Sequence, residues 1–242
     1  MQEGREMRLP GRMIISGLAF IFVLVLATAK APAQSKSRMQ DAARHASDAA
    51  KVFTEIMNVR DQAIPKELLD KAEAIAVFPG VIKAAFIFGG RGGQGVISKR
   101  QKGGWSAPAF FNLSGGSFGA QIGAQKNDFV FLIMNEDGVK GLLEDKFELG
   151  GEIGIVAGPV GREAAASTNA TLDAGILSYS RSKGAFIGAA LKGVAISPDN
   201  NLNEAIYNMK GKEMLTGKPM TLGSMPASVR IFPRTLARYS IR

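Results

Sequence analysis

Apolar and polar positions divide the chain into stretches of different periodicity. Residues 36–60 repeat apolar side chains every three or four positions, which predicts one amphipathic helix, and a shorter helix is predicted at 65–74. From residue 75 to residue 196, short apolar runs alternate with Gly, Pro and Asn-Asp, which is the pattern of strands separated by turns. A last short helix is predicted at 201–209. This order predicts an α+β fold.

Glycines in the strand region recur at every fourth residue. They form three sets, which are Gly115, Gly119 and Gly123; Gly150, Gly154 and Gly158; and Gly184 and Gly188. A spacing of four keeps each set on one face of a strand, where the missing side chains allow a close backbone approach or a sharp bend. We therefore expect N-terminal helices packed on a strongly curved or closed, glycine-rich antiparallel β-sheet. An outer-membrane barrel is the alternative, but it needs aromatic girdles, for which the chain offers one Trp and three Tyr.

The first 33 residues have the pattern of a secretory signal. Three arginines precede the apolar run Met13–Ala27, and the A-x-A sequences Ala27–Ala29 and Ala31–Ala33 follow or overlap its end. The run is shorter than the ~20 residues of a membrane-spanning helix, so a cleaved signal peptide at 1–33 is favoured over an uncleaved anchor. Cleavage is expected after Ala33 or Ala29. The predicted protein is exported, either periplasmic or secreted, with membrane association as a further option.

The composition of the chain excludes most kinds of catalytic and metal-binding site. The chain has no Cys and a single His, His45, which excludes disulfides and sites built from thiolates or several histidines. The glycines at 90–95 match a dinucleotide fingerprint, but the helix and the acid that this site needs do not follow them. The 115–119 stretch resembles a nucleophile elbow without a downstream histidine. We expect no enzyme, cofactor or metal, with a hydrolase that uses Ser117 as an alternative, and we place His45 on the surface.

Positive charge concentrates in a C-terminal segment. The net charge is +9; removing residues 1–33 takes away four basic and two acidic residues, which leaves +7. Residues 214–242 carry five basic residues and no acid, so we define 213–242 as a basic C-terminal tail. Each Lys or Arg near an anionic bilayer contributes ~1 kcal/mol, which makes Arg230, Arg234 and Arg238 candidate lipid contacts. Pro233 predicts a broken or extended segment, and a solvated tail is the alternative.

A second basic cluster lies in the strand region. Lys99, Arg100 and Lys102 follow Arg91 and precede Trp105, so one hairpin is expected to carry them and to hold a phosphate. Ordinary surface charge is the alternative. Nucleic acid is not an expected partner, because the chain has no recognition motif or aromatic stacking platform.

Several motifs between residues 72 and 209 resemble the SYLF domain family. They are Ile75–Pro79 with Gly80 and Lys83, Gly89-Gly90-x-Gly92-x-x-Gly95, Trp105–Pro108, Gly115–Gly123, Asp128, Gly158–Arg162, Tyr179–Gly188 and Asn203-x-x-x-Tyr207. The resemblance implies a SYLF-like domain at 72–212, after a helical region at 34–71. It also implies binding of anionic, phosphoinositide-like headgroups without catalysis. Some yeast members bind actin, but actin is not expected to be a partner of an exported protein.

The combined prediction is a non-enzymatic lipid-binding protein of the cell envelope. Its candidate lipid-binding residues are Lys83, Arg91, Lys99, Arg100, Lys102, Arg230, Arg234 and Arg238. A structural or protein-interaction module of the envelope without lipid affinity is the alternative, and its partner would be another envelope protein. The sequence indicates no oligomeric state.

Overall fold

A computed structural model describes most of the chain after the predicted signal segment. The described residues are 31–59, 63–85, 88–118, 123–151, 153–161, 174–182, 185–189, 191, 193–217, 220 and 222–240. The apolar run of the predicted signal peptide lies outside them. The chain divides into two compact units, residues 1–38 and residues 39–242. The second unit contains all of the described strands.

Six helices and ten strands make up the described residues. The helices are α1 (Ala31–Met57), α2 (Lys66–Lys71), α3 (Glu136–Gly141), α4 (Asn200–Tyr207), α5 (Gly211–Thr216) and α6 (Ile231–Tyr239). The strands are β1 (Ala74–Ala85), β2 (Phe88–Gln101), β3 (Gly104–Trp105), β4 (Ala109–Phe118), β5 (Gly123–Ile133), β6 (Phe147–Leu149), β7 (Ile155–Ala157), β8 (Ile176–Ser182), β9 (Ala185–Gly188) and β10 (Val194–Pro198).

The strands form one sheet in the order β6-β10-β4-β2-β1-β5-β8-β7, with β3 added to β2 and β9 to β8. It curls into a nearly closed, barrel-like shape, so the predicted α+β fold with a strongly curved sheet is confirmed. The sheet is mixed, since β7 runs parallel to β8 while every other described pair is antiparallel. The long connection between β7 and β8 permits this, because parallel strands cannot be joined by a tight turn.

Apolar side chains cover both faces of the sheet and form two cores. The first core joins one face to α1, α4 and α6, and the stripe predicted for α1 is confirmed by its fully buried members, which are Ala42, Ala46, Ala49, Phe53 and Ile56. The second core lies on the other face, where Phe78 and Leu113 pack together with Val139 of α3 and Leu215 of α5. Residues that alternate along a strand therefore enter different cores.

Two of the periodic glycines provide the close approach that their spacing predicts. A Cβ on Gly158 would lie 2.1 Å from the ring of Tyr179, and one on Gly188 would lie 2.2 Å from the carbonyl oxygen of Gly158. Gly154 behaves differently, because a Cβ there would meet nothing within 4 Å and the residue precedes β7. Gly119 and Gly184 lie outside the described residues. Among the described members, the spacing marks a close contact at some positions and not at others.

The C-terminal segment 222–240 packs on the first core. A 3₁₀ turn at Ala227–Val229 precedes α6, in which Phe232 and Leu236 are fully buried. Pro233 is the third residue of this helix, where its missing N–H costs no intrahelical hydrogen bond. Pro233 was expected to give a broken or extended segment, but it lies in the first turn of α6, and the residues on both sides of it are helical.

Candidate anion-docking site

Many motif residues of the SYLF resemblance have a role inside the fold. Asn203 is fully buried: its amide donates to the carbonyl oxygen of Phe110 at 2.9 Å, and its side-chain oxygen accepts from the Phe110 N–H at 2.8 Å. The Tyr207 hydroxyl donates to the carbonyl oxygen of Pro108 at 2.9 Å, and burial raises the pKa of this phenol. These contacts hold α4 against β4.

The other aromatic and glycine motif positions are also explained by packing. Tyr179 stacks on Phe186 with ring centroids 5.3 Å apart and lies over Gly158, and burial raises the pKa of its hydroxyl. A Cβ on Gly95 would lie 2.3 Å from the carbonyl oxygen of Val77. Such residues specify the fold and do not identify a ligand site.

Three motif glycines have no such explanation. A Cβ would meet nothing within 4 Å at Gly116, and its nearest neighbours at Gly90 and Gly92 would be 3.9 and 4.0 Å away. Gly90 lies directly opposite Gly116 in the β2–β4 pair. We call this part of the sheet the hairpin end, defined by residues 81–84 of β1, 89–93 of β2, 113–116 of β4 and 124–127 of β5. Its glycines leave the backbone open to an external partner.

Two predicted site residues meet at the hairpin end. Lys83 and Arg91 are directly opposite in the β1–β2 pair, so their side chains share one face with Cβ atoms about 5 Å apart. Among the described residues, no carboxylate forms an ion pair with either cation, and the buried Nε of Arg91 has no hydrogen-bond partner there. Like charges placed directly opposite in a sheet repel each other, so this pair would be stabilised by an anion.

An open cavity of about 500 Å³ adjoins Arg91. It is lined by Arg91, Ser114, Gly115, Gly116, Lys146, Glu148, Gly193 and Ala195. Lys146 adds a third cation, which pairs with Glu148 at 2.9 Å and remains two-thirds exposed. Sequence reasoning missed Lys146, because no motif or periodic pattern marks it.

The other basic residues of β2 lie far from this pair. Arg91 and Arg100 are nine residues apart on one strand, a distance of about 30 Å, so the cluster predicted from the sequence is divided between the two ends of β2. The Arg100 guanidinium donates to the carbonyl oxygens of Leu69 and Ala72 and stacks 4.2 Å from the Trp105 ring centroid. The Arg100 guanidinium therefore stabilises contacts within the fold.

The remaining two members of that cluster flank Arg100. Lys99 is half-buried, and its backbone N–H donates to the Ser106 hydroxyl at 2.9 Å. Lys102 is exposed in the turn before β3 and lines, with Arg100, a cavity of about 530 Å³. The structure does not bring either lysine to the hairpin end.

The C-terminal arginines have two different environments. Arg230 donates to the carbonyl oxygens of Met225 and Gly223, both at 2.9 Å, and so stabilises the loop before α6. Arg234 and Arg238 are exposed on α6. None of these three arginines belongs to the strands of the hairpin end, so none continues the row of cations that Lys83 and Arg91 form there.

A partly buried ion network lies at the base of the hairpin end, on the face that packs against α1. Asp128 accepts hydrogen bonds from the Gly80 N–H at 2.7 Å and from Arg181 at 2.6 and 2.9 Å. Arg181 also forms an ion pair with Glu55 of α1. Asp128 and Arg181 both occur in the motifs of the SYLF resemblance, but no motif or spacing indicates that they pair.

No group of three or more His, Asp or Glu side chains among the described residues is arranged to hold a metal ion. None of the helices in this part of the chain combines the length and apolar character of a transmembrane span.

Comparison with known proteins identifies relatives for most of the chain. A family model described as "Ysc84: Las17-binding protein actin regulator" matches residues 114–239. LAS seventeen-binding protein 3 of Saccharomyces cerevisiae is 40% identical over 164 residues, which are 65% of this chain and 36% of the relative. SH3 domain-containing YSC84-like protein 1 of Xenopus laevis is 31% identical over 189 residues, 75% of this chain and 56% of the relative. The chain therefore spans between about a third and just over half of the length of these relatives.

The relatives correct one expectation about partners. We expected actin not to be a partner, but the family model carries the words "actin regulator" and yeast relatives are named Protein YSC84 and LAS seventeen-binding protein 3. These findings point toward actin-related partners, and the expectation is wrong. It rested on the predicted export of the chain and not on any residue of the domain. The matched region and the identities show that the chain belongs to the Ysc84/SYLF family.

Proposed function

We propose that the chain is a non-enzymatic binding protein that docks on anionic lipid headgroups through the hairpin end. The observation that carries this proposal is the Lys83–Arg91 pair, two opposed cations without a carboxylate partner among the described residues, beside an open cavity. A phosphate group would relieve their repulsion. Arg100 and Arg230 are assigned no lipid contact, because their guanidinium groups already bind backbone carbonyls.

The expected affinity of this site is modest. Lys83, Arg91 and Lys146 would together contribute about 3 kcal/mol at an anionic bilayer, which is less than the ~4 kcal/mol of a millimolar Kd. Ile82 is 56% exposed at the hairpin end, but it lies on the sheet face opposite to the Lys83–Arg91 pair. The open sides of Gly90 and Gly116 lie on that opposite face as well, so further contact beside the pair has to come from the residues that line the cavity at Arg91. Stable docking therefore needs charge and close contact together.

Vesicle co-sedimentation tests the proposal with two variants of equal charge change. Lys83→Glu/Arg91→Glu alters the hairpin end, and Arg234→Glu/Arg238→Glu alters the exposed face of α6. We expect the parent chain to bind vesicles containing phosphatidylserine or a phosphatidylinositol phosphate more strongly than pure phosphatidylcholine, with a steep loss in high salt. The hairpin-end variant should lose this binding, and the α6 variant should keep most of it.

Two results would contradict docking through the hairpin end. If both variants lose binding equally, net charge and not the hairpin end determines docking. If the folded parent binds none of the vesicles, the chain is a structural or protein-interaction module without lipid affinity, and the proposal fails.

A second candidate function is binding to an actin-related partner. The printed description of the family model and the names of the yeast relatives favour it. The same Lys83–Arg91 pair would suit an acidic protein surface. Co-sedimentation with filamentous actin tests this: the parent should pellet with filaments and the Lys83→Glu/Arg91→Glu variant should not. An absence of the parent from the pellet would contradict this candidate.

Export of the chain is a further part of the proposal. Its support is the basic segment followed by the apolar run Met13–Ala27 and an A-x-A sequence. Expression of the full chain in a bacterial host, followed by fractionation and intact-mass measurement, should yield a periplasmic product beginning at Gln34 or Lys30. A full-length product that stays in the cytoplasm would overturn the predicted export.

A further inference from the structure

Strand β1 contains a bulge between its two halves. Its pairing with β2 shifts by one residue between Val77 and Ile82, and its pairing with β5 shifts at the same place. Pro79 and Gly80 occupy the shift, and Gly80 has a left-handed φ of +59°. A one-residue shift in a strand moves every following side chain to the other face of the sheet.

The bulge decides on which face Lys83 lies. Ile75 and Val77 face the first core, but after the bulge Val81 belongs to the second core, and Lys83 shares its face. Strand β2 pairs with β4 without any shift between Phe88 and Ile97. Without the extra residue in β1, Ile82 would therefore stand opposite Arg91, and Lys83 would point toward α1.

Asp128 holds the bulge in place. Its Oδ1 accepts the Gly80 N–H at 2.7 Å, while its Oδ2 accepts two hydrogen bonds from Arg181. The Asp128 and Arg181 side chains are only 18% and 20% exposed. Arg181 continues the network to Glu55 in the last turns of α1, which is 40% exposed. The carboxylate thus fixes the backbone of the bulge and is itself oriented by a partly buried cation.

We infer that Asp128 and Arg181 are positioning residues for the docking pair, because they hold the bulge that places Lys83 opposite Arg91. The inference rests on the proposed function of that pair. It assigns no contact with a ligand to Asp128 or Arg181, which act through the backbone of Gly80.

Engineered cysteines can report the register directly, since the chain contains none. In the described register, Lys83→Cys/Arg91→Cys places two thiols directly opposite on one face, at a separation that permits a disulfide. Ile82→Cys/Arg91→Cys is the matched control, because residue 82 faces away and stands opposite Gly92. We expect the first pair to oxidise readily and the second to oxidise poorly.

The test adds Asp128→Ala to both cysteine pairs. If Asp128 fixes the bulge, the 83–91 disulfide yield should fall and the 82–91 yield should rise. Asp128→Asn keeps a side-chain oxygen for the Gly80 N–H, so it should restore most of the parent pattern. A merely structural role would lower the melting temperature without exchanging the two disulfide yields. An unchanged 83–91 yield in folded Asp128→Ala protein would overturn the inference.

A second variant covers the case in which Asp128→Ala does not fold. Arg181→Gln removes the cation that orients Asp128, and it should shift the disulfide yields in the same direction. An unchanged pattern in this variant would also overturn the inference. Vesicle affinity of Asp128→Ala without added cysteines should fall about fivefold, which corresponds to the loss of one lysine contact. If the parent binds no vesicles, the proposed function fails, while the disulfide result still decides the register.

Discussion

Asn203 pairs with both backbone groups of Phe110 and so continues the hydrogen bonding of β4 onto α4. The amide is fully buried, so loss of this side chain would leave the Phe110 N–H unsatisfied, while the Phe110 carbonyl oxygen keeps the hydrogen bond that it accepts from the Asp199 N–H at 2.9 Å. A buried unsatisfied group costs about 1–3 kcal/mol. This contact explains the Asn203 position of the family motif by stability alone.

Replacing Asn203 with Ala is expected to destabilise the protein by roughly 1–3 kcal/mol, because the buried Phe110 N–H loses its partner. The free energy of unfolding in urea measures this. The matched control is Asn201→Ala, since Asn201 is an exposed residue of the same helix, and its unfolding free energy should stay close to the parent value. Equal effects of the two substitutions would contradict the role of the Asn203 pairing.

A methyl group on Gly158 is expected to disturb the packing of Tyr179. The added Cβ would lie 2.1 Å from the ring of Tyr179, and overpacking of this kind typically costs about 1–3 kcal/mol. Gly116→Ala is the control, because a Cβ there meets nothing within 4 Å. Thermal unfolding should show a lower melting temperature for Gly158→Ala than for Gly116→Ala, and the reverse order would contradict the packing argument.

Replacement of Arg100 should separate a structural cation from a docking cation. Its guanidinium binds carbonyl oxygens at the end of α2 and the Ser240 hydroxyl at the end of α6. Arg100→Lys loses the planar fork that reaches these groups, so a destabilisation of roughly 1–3 kcal/mol is expected from urea titration. Vesicle binding of the folded variant should match the parent, because the charge is kept. Unchanged stability would return Arg100 to the list of docking candidates.

Local pattern was sufficient for the elements but not for their pairing. The three- and four-residue repeat in α1 predicted Ala46 and Phe53 as core positions, and the stripe enters one core from Ala42 to Ile56, while Met39 at its start does not. The apolar stretch Phe147–Val156 by itself favours one strand, but the chain forms β6 and β7 at opposite edges of the sheet. The apolar composition of this stretch does not indicate where the connection between β6 and β7 lies.

The candidate site depends on register, which a single sequence does not reveal. Arg91 and Arg100 are close in sequence, yet their odd separation places them on opposite faces of β2. Lys83 stands opposite Arg91 only because of the bulge at Pro79–Gly80, and the carboxylate that holds this bulge lies 48 residues further along the chain. Composition indicated a basic docking chemistry only as a hypothesis, and it could not separate the cations that bind backbone carbonyls from those that do not.

His45 is expected to make the stability of the protein depend on pH. We placed this residue on the surface, but it is half-buried on α1, with its ring centroid 6.4 Å from that of Phe110. Desolvation by burial, followed by the charge of Arg44, lowers the pKa of His45 below its ordinary value of 6.5. Nearby Asp41, Asp48 and Asp199 oppose this shift without cancelling it.

The direction of the effect follows from proton binding. Since the folded state holds His45 neutral where the unfolded state is already protonated, the unfolded state binds more protons between the folded pKa and 6.5. The contribution to stability is fully present above pH 6.5 and is lost as the pH falls toward the folded pKa. Urea unfolding between pH 5 and 7.5 should therefore show a smaller decrease at low pH for His45→Gln than for the parent, since carboxylates affect both alike. Identical pH slopes for the two proteins would show that burial of His45 carries no free-energy cost on protonation.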